Sequence, residues 1–261
     1  MSSTISHLAS IHPEAKIGDN VTVEAFAFID GNVEIGDGSY IMSGANVRYG
    51  SRVGKNCRIF SGAVIGGIPQ DLKFKGEDTL AIVGDNTTVR ECATINRGTA
   101  SKGKTLVGNN CLLMAYSHVA HDCEVRNNVI IGNATQLAGE VEIYDNAILS
   151  GGTLVHQFTR IGEHVMVQGG SRTGKDIPPY ITAGREPVSY AGINSIGLRR
   201  HGFSNEKISE IQEIYRLIYQ SGLNFTDAIL KIEQDFSPSA ERDLIINFIR
   251  NSSRGIVRGY M

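Results

Sequence analysis

The 261-residue sequence has no tryptophan, only six prolines and four cysteines, and no long run of apolar residues. Without a run of about 20 apolar residues, no transmembrane helix is predicted. The cysteines form no Cys-x-x-Cys pair, so we expect buried thiols in a reducing compartment rather than a disulfide framework. The first residues lack the basic and apolar regions of a secretory signal peptide. These absences predict a soluble, cytoplasmic protein without stable membrane insertion.

An excess of charge of either sign is also lacking. The chain carries 25 basic and 27 acidic residues, a formal net charge of −2, which gives no case for a nucleic acid partner. Neither a Walker A loop nor a G-x-G-x-x-G motif is present, so the common glycine-rich phosphate sites are not predicted. Glycine is abundant instead, with 30 residues, and it suits many tight turns around a narrow core.

Aliphatic residues recur at every sixth position through most of the chain. The series runs from Ile11 to Ile65, from Val83 to Ile95 and from Val107 to Val167, 24 positions in all. This period fits neither a helix nor a simple alternating strand. It fits a short strand plus a turn, with one inward side chain per strand. The pattern predicts a mainly β protein, a parallel β-helix of hexapeptide repeats with about eight triangular coils.

The series lapses twice and then stops. The lapses predict loops ejected from the coils near residues 66–81 and 96–106, and long loops on a rigid scaffold often carry function. The next position of the series after Val167 is Thr173, so the aliphatic series stops there, and Pro178, Pro179 and Pro187 mark a transition.

The last part of the chain shows helical spacing. Ser204 is a typical N-cap residue, and apolar residues follow it at steps of three and four. Further helices are predicted at 226–235 and 239–251. We therefore divide the chain into a β-helix, residues 1–190, and a C-terminal α-helical domain, residues 191–261, that covers the open end of the coils.

The residues best suited to chemistry are His121 and Asp122. A neutral imidazole can accept a hydroxyl proton near pH 7, and a carboxylate can fix its tautomer; a surface histidine on a turn is the simple alternative. His118, His121 and His156 could instead supply three nitrogen ligands to zinc, as in a zinc-dependent hydratase. A non-catalytic scaffold is a third alternative.

Longer sequence motifs distinguish between these alternative functions. They are Gln-Asp-Leu-Lys at 70–73, Ala-His-Asp-Cys at 120–123, Asn-Ala-Thr-Gln-Leu-Ala-Gly at 133–139, Val-His-Gln-Phe at 155–158, Ile-Pro-Pro-Tyr at 177–180 and Gly-Leu-Arg-Arg-His-Gly-Phe-Ser at 197–204. Together they resemble the UDP-N-acetylglucosamine acyltransferase family, which catalyses the first step of lipid A biosynthesis, over essentially the full length. The resemblance implies left-handed coils, a homotrimer with the site between neighbouring β-helices, and no metal or cofactor.

The resemblance also implies residue roles in transfer of a 3-hydroxyacyl chain to the glucosamine 3-hydroxyl of UDP-N-acetylglucosamine. The donor is the phosphopantetheine thioester of acyl carrier protein. His121 is implied as the general base, Asp122 as its orienting carboxylate and the N–H of Gly139 as the oxyanion donor. Gly169 is implied as the residue that limits acyl chain length. Contacts to the UDP-sugar are implied for Gln70, Asp71, Lys73, His118, His156, Gln157, Asn194 and Arg200.

Three positions depart from the family pattern. Glu140 and Pro187 stand where some members have histidine, and Ile196 stands where a glutamate is often found. The contacts that the family makes through Glu140 and Ile196 are therefore not carried over. An acyltransferase that uses coenzyme A or another sugar nucleotide, and an amino sugar acceptor, stay open at this point.

Overall fold

Within residues 3–259, which the computed structural model describes, 28 short strands precede four helices. The strands, in chain order, are β1 (Thr4–Ile5), β2 (Ser10–Ile11), β3 (Lys16–Ile17), β4 (Thr22–Val23), β5 (Phe28–Ile29), β6 (Glu34–Ile35), β7 (Tyr40–Ile41), β8 (Asn46–Val47), β9 (Ser51–Val53), β10 (Arg58–Ile59), β11 (Val64–Gly67), β12 (Leu80–Val83), β13 (Thr88–Val89), β14 (Thr94–Asn96), β15 (Lys104–Val107), β16 (Leu112–Leu113), β17 (His118–Val119), β18 (Glu124–Val125), β19 (Ile130–Ile131), β20 (Gln136–Leu137), β21 (Glu142–Ile143), β22 (Ile148–Leu149), β23 (Leu154–Val155), β24 (Arg160–Ile161), β25 (Met166–Val167), β26 (Arg172–Thr173), β27 (Ile181–Gly184) and β28 (Ser189–Ile193). The helices are α1 (Ser195–Arg200), α2 (Asn205–Gln220), α3 (Phe225–Asp235) and α4 (Ala240–Arg250).

The strands form three sheets that wind as one β-helix. Each strand pairs in parallel with the third strand after it, except that β25 pairs with β27. The first sheet runs from β1 through β4 and β7 to β27, the second from β2 to β26, and the third from β3 to β24. Only the last pair of the first sheet, β27 with β28, is antiparallel among the described strands. The third sheet has eight strands, one per complete coil. The predicted mainly β fold, a parallel β-helix followed by helices, is confirmed.

The aliphatic series supplies the inward side chains. In a typical strand the first residue points outward and the second, a member of the series, lies in the core, as Ile29, Ile65 and Val119 do. Away from the two loops, paired residues lie 18 positions apart, as Ile11 and Ile29 do, so three repeats make one coil and the aliphatics stack. Burial of each such side chain contributes roughly 1.5–3 kcal/mol.

Both predicted loops leave the coils where the series lapses. The first spans residues 68–79 and the second residues 97–103, each shorter than the predicted range. The flanking strands take up the difference, because β12 and β15 pair through four residues rather than two. The loops therefore leave from extended, well-paired strands.

The coils continue beyond Thr173, where the aliphatic series stops. Strand β26 pairs with β23, and the Thr173 side chain is buried. Its hydroxyl donates to the Lys175 carbonyl oxygen at 2.8 Å. Because this bond satisfies the hydroxyl internally, a threonine can occupy the inward position where the aliphatic series stops, and the first sheet continues past it through the parallel pairing of β25 with β27.

A ladder of side chains joins successive coils at the corner from the third sheet to the first. Each carboxylate or amide oxygen accepts a backbone N–H from the preceding coil: Asp85 from Lys55 at 2.7 Å, Asn109 from Asp85 at 2.8 Å, Asn127 from Asn109 at 2.9 Å and Asp145 from Asn127 at 2.7 Å. The next residue of each turn is left-handed and is often asparagine, as at positions 86, 110, 128 and 146. This side-chain ladder satisfies backbone groups that the strands do not reach.

The helical domain packs on the last strands. The predicted N-cap is confirmed, since the Ser204 hydroxyl accepts from the Lys207 N–H at 3.3 Å and α2 follows. Helices α3 and α4 lie within one residue of their predicted bounds. The buried Tyr215 hydroxyl donates to the Pro179 carbonyl oxygen and ties α2 to the β-helix. None of the four helices in the described residues has the length and apolar character needed to span a bilayer.

His164 lies where the β-helix meets the helical domain, and it predicts a pH dependence of stability. Its ring contacts Tyr180, His201 and Phe203 at centroid distances of 5.8, 4.8 and 5.2 Å. Burial, and then the nearby His201, lower the pKa of His164 from 6.5 to about 4. The unfolded chain therefore binds more protons between these two pH values, so the free energy of unfolding should fall as the pH falls through that window.

The test is a His164→Asn variant, because asparagine is the residue that other coils place at this left-handed corner position. Urea unfolding of both proteins at several pH values between about 7 and 4 would measure the slope. We expect the variant to lose part of the acid-side decline, whatever its stability at pH 7. An identical slope in both proteins would contradict the assignment to His164.

Candidate active site

His121 lies at the corner between the second and third sheets, in the turn after β17. That strand places Val119 in the core and leaves His118 on the outer face of the second sheet. Asp122 follows with a φ of +59°, a left-handed conformation that glycine and asparagine normally occupy. Glu140 and Phe158 take the same conformation at this corner of the next two coils.

The Asp122 carboxylate is fully buried and accepts four hydrogen bonds. Its Oδ2 lies 2.8 Å from His121 Nδ1 and 2.6 Å from the Thr99 hydroxyl, and its Oδ1 accepts the N–H groups of Thr99 at 2.9 Å and Lys102 at 3.2 Å. Burial raises the pKa of Asp122, but these hydrogen bonds outweigh it and bring the pKa below its usual value. Because an ionised carboxylate only accepts, His121 must carry a proton on Nδ1, which leaves Nε2 as the basic atom.

The Nε2 edge of His121 faces Gly139 of the next coil. A Cβ atom at position 139 would lie 2.7 Å from Nε2 and 2.6 Å from Cε1, so only glycine leaves the imidazole in place. The Gly139 carbonyl oxygen accepts from Phe158 N–H at 3.2 Å, whereas its own N–H has no acceptor within residues 3–259. A free N–H beside a histidine base is the arrangement that acyl transfer needs for an oxyanion.

An open cavity of about 610 Å³ runs along the second sheet beside these groups. Outward-facing residues of successive coils form its wall because they pair in register: His118 with Gln136, then Leu154 and Arg172. Burial, and then the nearby His121, lower the pKa of His118, so its ring is neutral at pH 7. Of the predicted site residues, the cavity brings together Gln70, His118, His121, Gly139, His156 and Gln157.

Nothing in the side-chain arrangement supports the zinc alternative. Across the described residues, no three histidine, cysteine or carboxylate side chains converge as metal ligands. Of the three candidate histidines, His121 engages Asp122 through Nδ1, and His118 Nδ1 lies 2.7 Å from the Thr94 hydroxyl.

Comparison with known proteins now decides the family. A model of bacterial transferase hexapeptide repeats matches residues 32–67 and 104–139, and a model described as UDP N-acetylglucosamine O-acyltransferase, domain 2, matches residues 176–257. The acyl-[acyl-carrier-protein]--UDP-N-acetylglucosamine O-acyltransferase of Trichlorobacter lovleyi is 48% identical over 255 residues, covering 96% of this chain and 98% of that protein. The chain belongs to the UDP-N-acetylglucosamine O-acyltransferase family.

Solved structures of the same family share the fold along nearly the whole chain. The UDP-N-acetylglucosamine acyltransferase of Bacteroides fragilis is 61% identical with a TM-score of 0.96, covering 97% of this chain and 99% of that one. The enzyme of that name from Francisella novicida is 38% identical with a TM-score of 0.95, covering 98% and 94%. The resemblance stated from the motifs is thus confirmed.

Four residues implied by the acyltransferase family lie outside the cavity wall of the single chain. Asp71 and Lys73 form a tight turn in the loop 68–79, with the Lys73 N–H donating to Asp71 Oδ1 at 2.9 Å. Asn194 caps α1 through Gly197 N–H at 3.1 Å, and Arg200 is exposed in the last turn of that helix. Helix α1 was not predicted, because its six residues are too few for an apolar stripe.

Gly169 also lies outside the cavity wall, in the turn between β25 and β26. It is exposed, and a Cβ atom there would lie 3.1 Å from the Gly151 carbonyl oxygen. Its backbone is not left-handed, so a side chain there requires only that the Gly151 carbonyl move by a few tenths of an ångström.

The Glu140 side chain does not face the cavity. Its Oε1 accepts from the Ser101 hydroxyl at 3.1 Å, and its Oε2 lies 4.0 Å from Lys102 Nζ. Glu140 therefore contacts the loop 97–103, whereas Ile196, a second departure from the family pattern, is largely exposed on α1.

Thr99 is a site residue that sequence reasoning missed. It lies in the loop 97–103, where no periodic pattern indicates which side chain points inward, and its partner Asp122 is 23 positions away. The ejection of this loop one coil before the His-Asp pair was the available signal.

Proposed function

We propose that this chain transfers a 3-hydroxyacyl group from acyl carrier protein to the glucosamine 3-hydroxyl of UDP-N-acetylglucosamine. The observation that carries the proposal is the contact of His121 with the buried Asp122, its Nε2 edge facing Gly139, in a member of this family. No metal or cofactor beyond the phosphopantetheine thioester of the donor enters the reaction.

The steps follow from this geometry. His121 Nε2 takes the proton of the 3-hydroxyl as its oxygen attacks the thioester carbonyl carbon. The resulting oxyanion accepts the Gly139 N–H, and Asp122 stabilises the imidazolium. The carbon–sulfur bond then breaks, and the phosphopantetheine sulfur leaves with the proton returned by His121. An ester and a free thiol are the products.

Acceptor binding is assigned to the polar residues at the cavity. Gln70, His118, His156 and Gln157 line it, and a neutral His118 can donate or accept a hydrogen bond to a sugar hydroxyl. Asp71, Lys73, Asn194 and Arg200 complete the proposed set. Because these four lie outside the cavity of a single chain, we propose that a neighbouring subunit brings some of them to it.

A homotrimer would provide that neighbour. Leu112, Ile130, Ile148 and Met166 stand in register on the outer face of the first sheet and form an apolar column, which suits burial against another β-helix. We expect equilibrium sedimentation to give a trimer, with activity lost when the subunits dissociate. A fully active monomer would contradict this assembly.

Acyl carrier protein, a strongly acidic partner, would dock on basic residues near the helical domain. The candidates are Arg199, Arg200, Arg250, Arg254 and Arg258. Arg254 is held at the cavity because its Nε donates to the carbonyl oxygen of Gly174, which lines it. Arg250 is already paired with Glu233 at 2.7 Å, so it offers less free charge.

A cytoplasmic location is also proposed, since all four cysteines are free thiols.

The acyl chain is proposed to run past Gly169, which leaves the groove open to a chain of about 14 carbons or more, each buried CH₂ contributing roughly 0.8 kcal/mol. Pro187 in place of a histidine is consistent with a tail of about 16 carbons. We expect Gly169→Met to shift the preference to shorter chains, measured by kcat/KM for a series of donors on acyl carrier protein. Gly169→Ala is the matched control and should shift it less. A wild-type preference for about 10 carbons would remove Gly169 from this role.

The activity itself is tested by incubating the full chain with UDP-N-acetylglucosamine and two donors, 3-hydroxyacyl-acyl carrier protein and the matching coenzyme A thioester. We expect an O-acylated sugar nucleotide from the first donor. Product from coenzyme A alone, or acylation of the matching 3-amino sugar nucleotide but not of UDP-N-acetylglucosamine when the two acceptors are compared, would overturn the proposal.

A further inference from the structure

We propose that Thr99 is a positioning residue of the reaction, a third member of the His121–Asp122 pair that holds the carboxylate at the angle His121 requires. The inference rests on the proposed function, because it assigns His121 the role of base. It assigns Thr99 no contact with substrate.

Thr99 holds both oxygens of the carboxylate at once. Its hydroxyl donates to Asp122 Oδ2 and its N–H to Oδ1, at 2.6 and 2.9 Å. Two bonds from one residue to two oxygens fix the rotation of the carboxylate about its own axis. A single donor would leave that rotation free, and Oδ2 would then be less well aimed at His121 Nδ1.

The direction of the Thr99 hydroxyl proton is also determined. The Thr99 oxygen accepts the Ser101 N–H at 3.2 Å, which leaves its one proton for Asp122. The Thr99 carbonyl oxygen accepts the Gly103 N–H at 2.8 Å, so residues 99–103 close into a turn around the carboxylate. Thr99 is itself buried, and water therefore cannot readily substitute for its hydroxyl.

The same loop also contacts the coil that carries the oxyanion donor. Ser101 and Lys102 engage Glu140, the residue after Gly139. The loop 97–103 therefore contacts both Asp122 and Glu140, the residue that follows Gly139. These side-chain contacts add to the backbone bond that joins the two corners, from the Glu140 N–H to the His121 carbonyl oxygen at 3.0 Å.

Asp122 still has other donors if the Thr99 hydroxyl is removed, so the effect is one of alignment. The N–H groups of Thr99 and Lys102 still donate to Oδ1. The backbone of Asp122 also stays in place, because its own N–H still donates to the Thr105 hydroxyl at 2.8 Å. The charged and titratable groups around His121 are unchanged as well: Asp122 beside it, His118 on β17, Lys102 and Glu140 from the loop contact, and His156 at the cavity.

The first test compares Thr99→Val, Thr99→Ser and wild type in steady-state kinetics. We expect Thr99→Val to lower kcat about tenfold with KM for the sugar nucleotide within about twofold, and Thr99→Ser to restore most of the rate. In an Asp122→Asn background the valine change should cost no more than about twofold, because the carboxylate it aligns is gone. Equal losses in both backgrounds, or a wild-type kcat in Thr99→Val, would overturn the proposal.

Thr87→Val is the matched control. Thr87 is also buried, and its hydroxyl also bridges two coils, donating to the Gly108 carbonyl oxygen at 2.7 Å and accepting the Cys111 N–H at 3.1 Å. This variant should lose similar stability in a thermal melt and keep the wild-type kcat. A loss of kcat as large as that of Thr99→Val would show that any buried threonine hydroxyl has this effect.

A second readout needs no substrate. In protein with ¹⁵N-labelled histidine, the nitrogen spectrum reports which nitrogen of His121 carries the proton. We expect the Nδ1–H form in wild type and Thr99→Ser, and a mixture of both forms in Thr99→Val. An unchanged spectrum in the valine variant would overturn the role of Thr99, whereas absence of acyl transfer with every donor would overturn the proposed function alone.

Discussion

Replacing His121 by alanine is expected to lower kcat by about 10²–10⁴-fold, the usual worth of a general base. The substitution removes the Nε2 atom that faces Gly139 and leaves the buried Asp122 with its three other hydrogen bonds, from Thr99 and Lys102. The fold should persist because Val119, not His121, supplies the inward side chain of this repeat. Single-turnover measurements with the acyl carrier protein donor would show whether the chemical step itself is slowed.

Two comparisons make this result specific. Asp122→Asn should be milder, since the base remains but is held less firmly, and alanine at the exposed His7, in the first coil, should leave the rate unchanged. If His121→Ala kept most of the wild-type kcat, His121 would not be the base, and the acceptor proton would have to leave by another route.

Adding one methyl group at Gly139 is expected to be nearly as damaging, with a loss in kcat of about 10²-fold or more. The new Cβ would lie 2.6–2.7 Å from two ring atoms of His121, closer than non-bonded contact allows, so the imidazole must turn away or the coil must shift. Either movement separates the base from the Gly139 N–H. Kinetic assay of Gly139→Ala, together with a thermal melt, would measure both effects.

Gly174→Ala provides the matched control. Gly174 lines the same cavity, but a Cβ atom there would meet its nearest neighbour, His156 Cβ, at an ordinary 3.7 Å. We expect that variant to stay within about threefold of wild type. Similar losses in both variants would mean that the cavity tolerates no added methyl group anywhere, and the specific contact with His121 would not explain the result.

The repeat could be predicted from the sequence because each coil obeys a local rule. One aliphatic side chain per six residues has only one place to go, so the positions from Ile11 to Val167 determine strands, coils and loop exits together. The rule fails at Thr173 because a hydroxyl can be buried when it finds an acceptor, and spacing does not reveal acceptors. The six-residue rule makes no prediction for α1, where Asn194 caps a helix that is too short to show a helical period.

The site was predictable only in part, for a similar reason. His121 and Asp122 are neighbours in the chain, and motif matching also identified Gly139, His156 and Gln157. Thr99 carries no motif and reaches Asp122 only through the stacking of coils, so its role emerges from the fold. Asp71, Lys73, Asn194 and Arg200 remain predictions, because within one chain they do not meet the groups they are expected to serve.

The side-chain ladder also affects the chemical stability of the protein during storage. Asn109 and Asn127 separate the carboxylates of Asp85 and Asp145, and their amide groups donate along the ladder at 3.0 and 3.3 Å. The asparagine side-chain amide is prone to hydrolysis (deamidation). Deamidation would convert a hydrogen-bond donor into a second carboxylate, one coil away from an existing carboxylate. Two such charges at the strand spacing repel by about 1 kcal/mol even in water. Hydrolysis at either position would therefore weaken the stacking of the coils at this corner, on the edge of the β-helix opposite the active-site face.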